Sequence, residues 1–395
     1  MCLLGSTTAN SAEKVLYAFQ GGNDGAHPPD AGVIADDAGD MFGVTGGGGG
    51  TGCEGEVGCG TVFELMPGGA ETVLYAFGGG CDGASPDGRL TVDSSGNLYG
   101  VTVDGGSCND RGFGTVFKLT PTGAESILHA FKSGADGSDP NGALVQDKKG
   151  NLFGATALGG GGSGCDDDGC GTIFEITPKG KETVLYAFCP EGSCADGAEP
   201  FGDLILDRAG DLFGAAGRGG GGTNCGPYGC GAVFKLAPDG TETVLYVFTG
   251  GSDGGGPSSG LLMDKAGNVY GVTEEGGASN KGTVYRVTPD GTETALYAFQ
   301  GGADGEFPAG TLIADKEGNL YGTTALGGGS GCKGSGCGTV FKVAPDGTET
   351  VLYAFKRSHG EFPAGALLLG KHGDLYGTTE DGGKHHDGVV FRVKD

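Results

Sequence analysis

The sequence predicts an all-β fold, a seven-bladed β-propeller with four antiparallel strands per blade and the N-terminal strand completing the last blade. Three observations predict it: one phrase recurs seven times, each period holds four strand-like runs, and the two ends complement each other. VLYAF at 73–77 returns with small changes at Val15, Ile127, Val184, Val244, Ala295 and Val351. Successive spacings are 58, 54, 57, 60, 51 and 56 residues, a period that marks a repeat architecture.

The sixth repeat shows the strands best. Runs at 311–315, 319–324, 339–344 and 349–355 are rich in β-branched and aromatic residues and bounded by Gly, Asp, Asn and Pro. The D-x-x-G-N and P-D-G-T stretches between them are tight-turn signals. No helical apolar period of 3.6 appears. Four antiparallel strands repeated radially make a propeller blade. The chain opens with a lone fourth strand at 13–19 and closes with three strands at 366–393, so pairing the two ends removes both open edges. The expected organisation is a leader or disordered start at 1–12 and one propeller over 13–395. Its blades run over about 31–77, 88–131, 142–188, 202–248, 260–299, 310–355, and 365–395 plus 13–19.

Composition fits a regular repeat. Gly and Pro together make up 107 of 395 residues (91 plus 16), a share that without periodicity would signal disorder. The net charge of −26 excludes nucleic acid as a partner, because phosphate binding needs clustered Lys and Arg. No apolar run approaches the roughly 20 residues of a membrane span. A soluble monomer is expected.

Twelve of the 13 Cys fall into pairs: Cys53/Cys59, Cys165/Cys170, Cys189/Cys194, Cys225/Cys230, Cys332/Cys337 and the longer Cys81/Cys108, with Cys2 left over. Close pairs in Gly-rich loops suit disulfides, whereas zinc needs four converging ligands and each loop offers two. Disulfides imply an oxidising compartment, so the protein is expected to be secreted or held at the cell surface.

The elements GNLYG (96–100, 318–322), GTVFKL (114–119) and ETVLYAF (71–77) resemble the GloVer tandem-repeat family of secreted bacterial proteins. The resemblance covers nearly the whole chain and implies an exported propeller, with no shared activity to carry over. Such proteins often carry a separate C-terminal sorting anchor; this sequence departs from that pattern by ending inside the last strand at Asp395, which leaves attachment to the cell open.

Within the predicted blade, the loops joining strands two and three and those joining one blade to the next share one face, around the channel mouth. Loops on a rigid scaffold are the usual seat of function. The inter-blade loop reads G-G-x-D-G-x-x-P, with its Asp recurring as Asp24, Asp82, Asp136, Asp196, Asp253 and Asp304. Two readings stand: a ring of carboxylates for calcium, a hard cation, or Asp side chains that cap their own turns. The residue before the loop Pro varies freely as His27, Ser85, Asp139, Glu199, Gly256, Phe307 and Phe362, which points it at solvent or ligand. Arg89, Arg111, Phe113, Arg218 and Tyr228 also break the repeat, and Arg or Tyr there suits an acidic sugar.

Four of the six His gather in one sector: His27, His359, His385 and His386, with Glu361, Glu380, Asp381 and Asp387 in the same loops. Such a set suits a transition metal or acid–base work near neutral pH, and equally a solvated loop. Three functions follow: a module binding an extracellular ligand, foremost a glycan; a polysaccharide-cleaving enzyme using the His sector or the acids Asp104, Glu275 and Asp381; or a structural surface protein. Glycoside hydrolysis needs paired carboxylates at a set separation.

Overall fold

Alternating apolar residues in short runs cannot bury both faces of one sheet, so each repeat packs against the next. The computed structural model describes residues 13–395 apart from 30, 51, 54–57, 109–111, 163–164, 166–167, 191, 193 and 223. It has seven four-stranded antiparallel sheets arranged in a ring, six ordered as in the chain and the seventh completed by the first strand. Blade 2 is typical: Ala84–Val92 lies innermost, followed outward by Leu98–Asp104, Thr115–Leu119 and Glu125–Ala130. The expected leader at 1–12 lies outside the described residues.

Closure occurs as expected. Lys14–Ala18 pairs antiparallel with Val389–Lys394, matching Lys14 to Arg392, Val15 to Phe391 and Ala18 to Val389. Each seam between blades then repeats one aromatic contact. The Phe ending a fourth strand meets the ring in the third strand of the next blade edge to face, as in Phe77–Phe117 at 5.2 Å and Phe355–Phe391 at 4.9 Å. Phe19–Phe63, at 5.1 Å, makes the same contact across the closing seam. The Gly of each N-L-Y-G phrase follows from this packing: a Cβ on Gly100 would lie 2.6 Å from the Phe117 ring.

The turn chemistry is equally local. Asp93 accepts hydrogen bonds from the backbone N–H groups of Ser95 and Asn97, the Asn97 amide and the Tyr99 hydroxyl, which fixes the first hairpin of blade 2. One expectation needs correction. The innermost strands of blades 2, 3, 4 and 6 begin before the loop Pro, at Ala84, Ser138, Ala198 and Glu306. Pro halts a regular ladder, but here it sits ahead of a register shift, such as that between Asp87 and Thr91, so pairing resumes beyond it.

That bulge brings the inner strands together at the axis. A Cβ on Gly88 would lie 2.3 Å from Gly142 O, and one on Gly142 2.4 Å from the Gly202 backbone. Both glycines are left-handed, at φ 75° and 71°. Gly142→Ala therefore combines a strained backbone with a clash that nothing flexible relieves. It is expected to cost about 2–4 kcal/mol in a denaturant melt.

Candidate functional site

The close approach of the inner strands makes a floor that is tied across the ring. Asp203 in blade 4 accepts hydrogen bonds from Arg89 Nη2 of blade 2 at 3.0 Å, the Ala143 N–H of blade 3 at 2.7 Å and Thr311 Oγ1 of blade 6 at 3.1 Å. Above this floor, on the loop face, a cavity of about 580 Å³ is lined by residues that follow the loop Pro: Asp87, Asn141, Phe201 and Ser258. Asn141 clips its wall, accepting from the Gly202 N–H and donating to Pro200 O. Burial pushes the Asp87 carboxyl up, opposed by the hydrogen bond from the Gly88 N–H.

The rim is built from the residue before each loop Pro. All seven, from His27 to Phe362, share one left-handed conformation with φ between 53° and 63°. Only Gly256 takes that φ without strain. The other six are held because each N–H donates to a carbonyl of the preceding blade, at 2.8–3.3 Å, with His27 reaching back to Asp387 across the closing seam. The backbone of this position is structural while its side chain is free to vary, which explains the range of residues found there.

Several sequence candidates meet at this rim. Arg218 donates to Glu199 at 2.8 Å and lies over the Tyr228 ring at 4.8 Å. Ser258 donates to Glu274 at 2.6 Å beside Glu275. Elsewhere on the ring Phe307 faces Lys281, which also pairs with Glu306, and Phe362 lies beside the Arg357–Glu361 pair. Asp139 donates its N–H to Phe113 O. Asp104 ends the second strand of blade 2. Arg111 lies outside the described residues.

Among the described residues, the histidines of this sector join no potential metal-holding group. His27 Nδ1 lies 2.9 Å from Asp381, with Glu380 nearby, its carboxyl pushed up by burial and by Asp381. His359 sits at the perimeter instead, 3.1 Å from the Tyr353 hydroxyl and 3.4 Å from Glu13. His385 and His386 are exposed.

The six aspartates likewise stay apart, one per blade, each occupied by its own turn. Asp24 accepts from the Tyr17 hydroxyl and Gln20 N–H, Asp82 from Tyr75 and Gly78, and Asp196 from Tyr186 and Cys189. Asp253 and Asp304 repeat this with Tyr246 and Tyr297, and Asp136 with His129. Among described residues, Asp136 alone of the six joins a potential metal-holding group, with His129 and Glu182. All six expected disulfides are present: Cys53–Cys59, Cys81–Cys108, Cys165–Cys170, Cys189–Cys194, Cys225–Cys230 and Cys332–Cys337.

Asp87, Asn141, Phe201, Asp203 and Glu274 were not singled out from sequence. The signal was available, since residues after the loop Pro vary as much as the one before it.

Seven four-stranded blades in a ring around an axial cavity place the protein in the seven-bladed β-propeller class. The chain belongs to the Gloeobacter/Verrucomicrobia repeat family, which matches residues 5–227 and 221–395. Among solved structures it is similar to the extracellular domain of a hybrid two-component system from B. thetaiotaomicron, at 10% identity and a TM-score of 0.61, covering 96% of this chain and 39% of that one. A second structure, the extracellular domain of a one-component system from the same organism, gives 9% identity, a TM-score of 0.57 and coverage of 97% and 40%. This chain thus spans about two fifths of theirs, and the likeness is one of fold. No curated protein matches the chain by sequence.

Proposed function

We propose that this protein is an exported binding module that holds a neutral, hydroxyl-rich ligand, foremost a glycan segment, in the axial cavity. The observation that carries this reading is the lining itself. Phe201 and Tyr228 offer ring faces, while Asn141, Ser258, Glu199, Glu274 and Arg218 offer hydrogen-bonding groups around one concave space. The excess of carboxylates disfavours an anionic ligand. Six disulfides fit an oxidising compartment, and the similar solved structures are extracellular domains.

Cleavage of the glycan is the second reading, and one observation favours it. The Asp87 carboxyl, pushed up by burial, is suited to hold a proton in a cavity that Glu274 also lines.

Titrating the protein with soluble glucan, xylan, mannan and pectin oligosaccharides, while assaying released reducing ends, tests both. Binding is expected, with Phe201→Ala weakening it about 30-fold through loss of some 2 kcal/mol of stacking. Binding indifferent to Phe201→Ala, or none across the panel, contradicts the proposal. Reducing ends that disappear in Asp87→Asn support the enzyme.

A further inference from the structure

The disulfides of blades 1, 4 and 6 each stand alone in the loop between strands two and three. Blade 3 differs. Its loop pair, Cys165–Cys170, is met by a second pair, Cys189–Cys194, in the loop that leaves the fourth strand. In blades 1 and 4 that second loop presents glycine to the sulfurs. A Cβ on Gly79 would lie 3.0 Å from Cys53 Sγ, and one on Gly250 2.5 Å from Cys225 Sγ. In blade 3 the same approach delivers two more sulfur atoms.

The four sulfurs form one cluster. Between the two pairs, Cys165 Sγ lies 3.9 Å from Cys189 Sγ and 3.9 Å from Cys194 Sγ, and Cys170 Sγ lies 4.0 Å from Cys194 Sγ. All four fall within 4.8 Å of one another. A tetrahedral zinc with Zn–S near 2.3 Å needs sulfurs about 3.8 Å apart. The cross-pair separations are already close to that edge, so the pairs need only open. Cys170 and Cys189 are fully buried, which shields such a centre from water. Cys189 is held in a left-handed conformation, φ 56°, with its N–H donated to Asp196, so its Sγ is aimed by the backbone.

We propose that Cys165, Cys170, Cys189 and Cys194 are one four-sulfur site that holds a single zinc ion when its two disulfides are reduced, and closes to two disulfides when oxidised. The chemistry balances with a dithiol reductant of the thioredoxin class. Each disulfide takes two electrons and two protons from one dithiol, which closes to its own disulfide. The four thiols then release four protons as their thiolates bind Zn²⁺. Thiolate softness selects zinc over calcium or magnesium. This inference is independent of the axial cavity and of any ligand there.

The test uses the full chain, reduced with a phosphine reductant without oxygen, given zinc or cobalt(II), desalted and analysed for metal. One zinc per chain is expected, with cobalt giving the charge-transfer and visible bands of a tetrahedral tetrathiolate. Alkylation followed by peptide mapping should find these four cysteines protected by zinc and the other eight disulfide cysteines modified. Cys189→Ser/Cys194→Ser should abolish the cobalt bands, while Cys225→Ser/Cys230→Ser leaves them unchanged. The wild-type map keeps the test decisive if a variant fails to fold. No metal uptake, zinc protecting other cysteines, or cobalt bands that survive the first double variant overturns the proposal.

Discussion

A chain beginning at Gln20 is expected to lose the single cooperative thermal transition of the full protein. The residues removed include the outermost strand of blade 7, Lys14–Ala18, and with it the pairing to Val389–Lys394. Phe19 is fully buried against Phe63, and the Glu13 side chain, only 5% exposed, accepts a hydrogen bond from Tyr353 of blade 6. Truncation therefore opens two seams and exposes a strand edge that invites association. Phe19→Ala alone should cost about 3–5 kcal/mol. Moving residues 13–19 behind Asp395 through a short Gly/Ser linker restores every lost contact and should restore the transition. Circular dichroism melts with size-exclusion chromatography read both results; a truncated chain that melts like the wild type refutes closure by this strand.

Stability should also fall as pH rises from about 4.5 to 8. The Glu that opens each fourth strand packs against the Asp turn of the preceding blade. Burial first, and then the Asp beside it, pushes the carboxyls of Glu71, Glu182, Glu242 and Glu293 up to about 7 and that of Glu349 to about 8. Glu125 is raised by burial and then Asp82, and Glu13 by burial, which outweighs the opposing pull of His359 and the Tyr353 hydroxyl. Each of the seven leaves one buried carboxyl oxygen without a hydrogen-bond partner, which suits a protonated acid better than a carboxylate. Because these groups hold protons more tightly folded than unfolded, folding takes up protons between the two pKa values. Their stabilisation is complete below about 4.5 and is lost as pH passes through 7 to 8.

An opposing limb lies in acid. At Asp93 burial works against ionisation, yet the hydrogen bonds from Asn97, Ser95 and Tyr99 outweigh it and lower the pKa, and Asp264 and Asp315 behave alike. Those turns weaken as pH falls below 3.8. Melting temperature should therefore peak near pH 4.5 and decline toward 8, with Glu349→Gln flattening the decline. A profile flat from 4.5 to 8 would contradict the protonated seam.

Closure, strand order and disulfide pairing were legible because each depends on local pattern. A surplus VLYAF at 15–19 facing a three-strand remainder at the other end has one economical solution. The cavity was harder to read because its lining is gathered from several repeats: Asp87, Asn141, Phe201 and Ser258, each just after a loop Pro, are some 54 to 60 positions apart. Attention to the residue before the loop Pro found the rim, including Glu199, but stopped one step short of the wall. No propensity assigns Phe307 or Glu199 to left-handed backbone; that conformation is imposed by the neighbouring blade's carbonyl. His27 and His359 were grouped by face, yet the fold gives them different partners, Asp381 for His27 and Tyr353 with Glu13 for His359, which the repeat pattern does not encode. The four-sulfur cluster was missed for a related reason: two loops distant in the repeat meet only at the blade's edge.

The cavity as ligand site is tested most directly by plugging it. Gly256 is the one rim position without a side chain; it lines the cavity, and a Cβ there meets nothing within 4 Å. Phe307 and Phe362 occupy the equivalent left-handed slot in blades 6 and 7, so the backbone admits this residue. With the tightest oligosaccharide from the panel, Gly256→Phe should lose more than about tenfold in affinity, roughly 1.4 kcal/mol, while its melting temperature shifts by no more than about 4 °C. Undiminished affinity in a folded Gly256→Phe protein would place the ligand elsewhere.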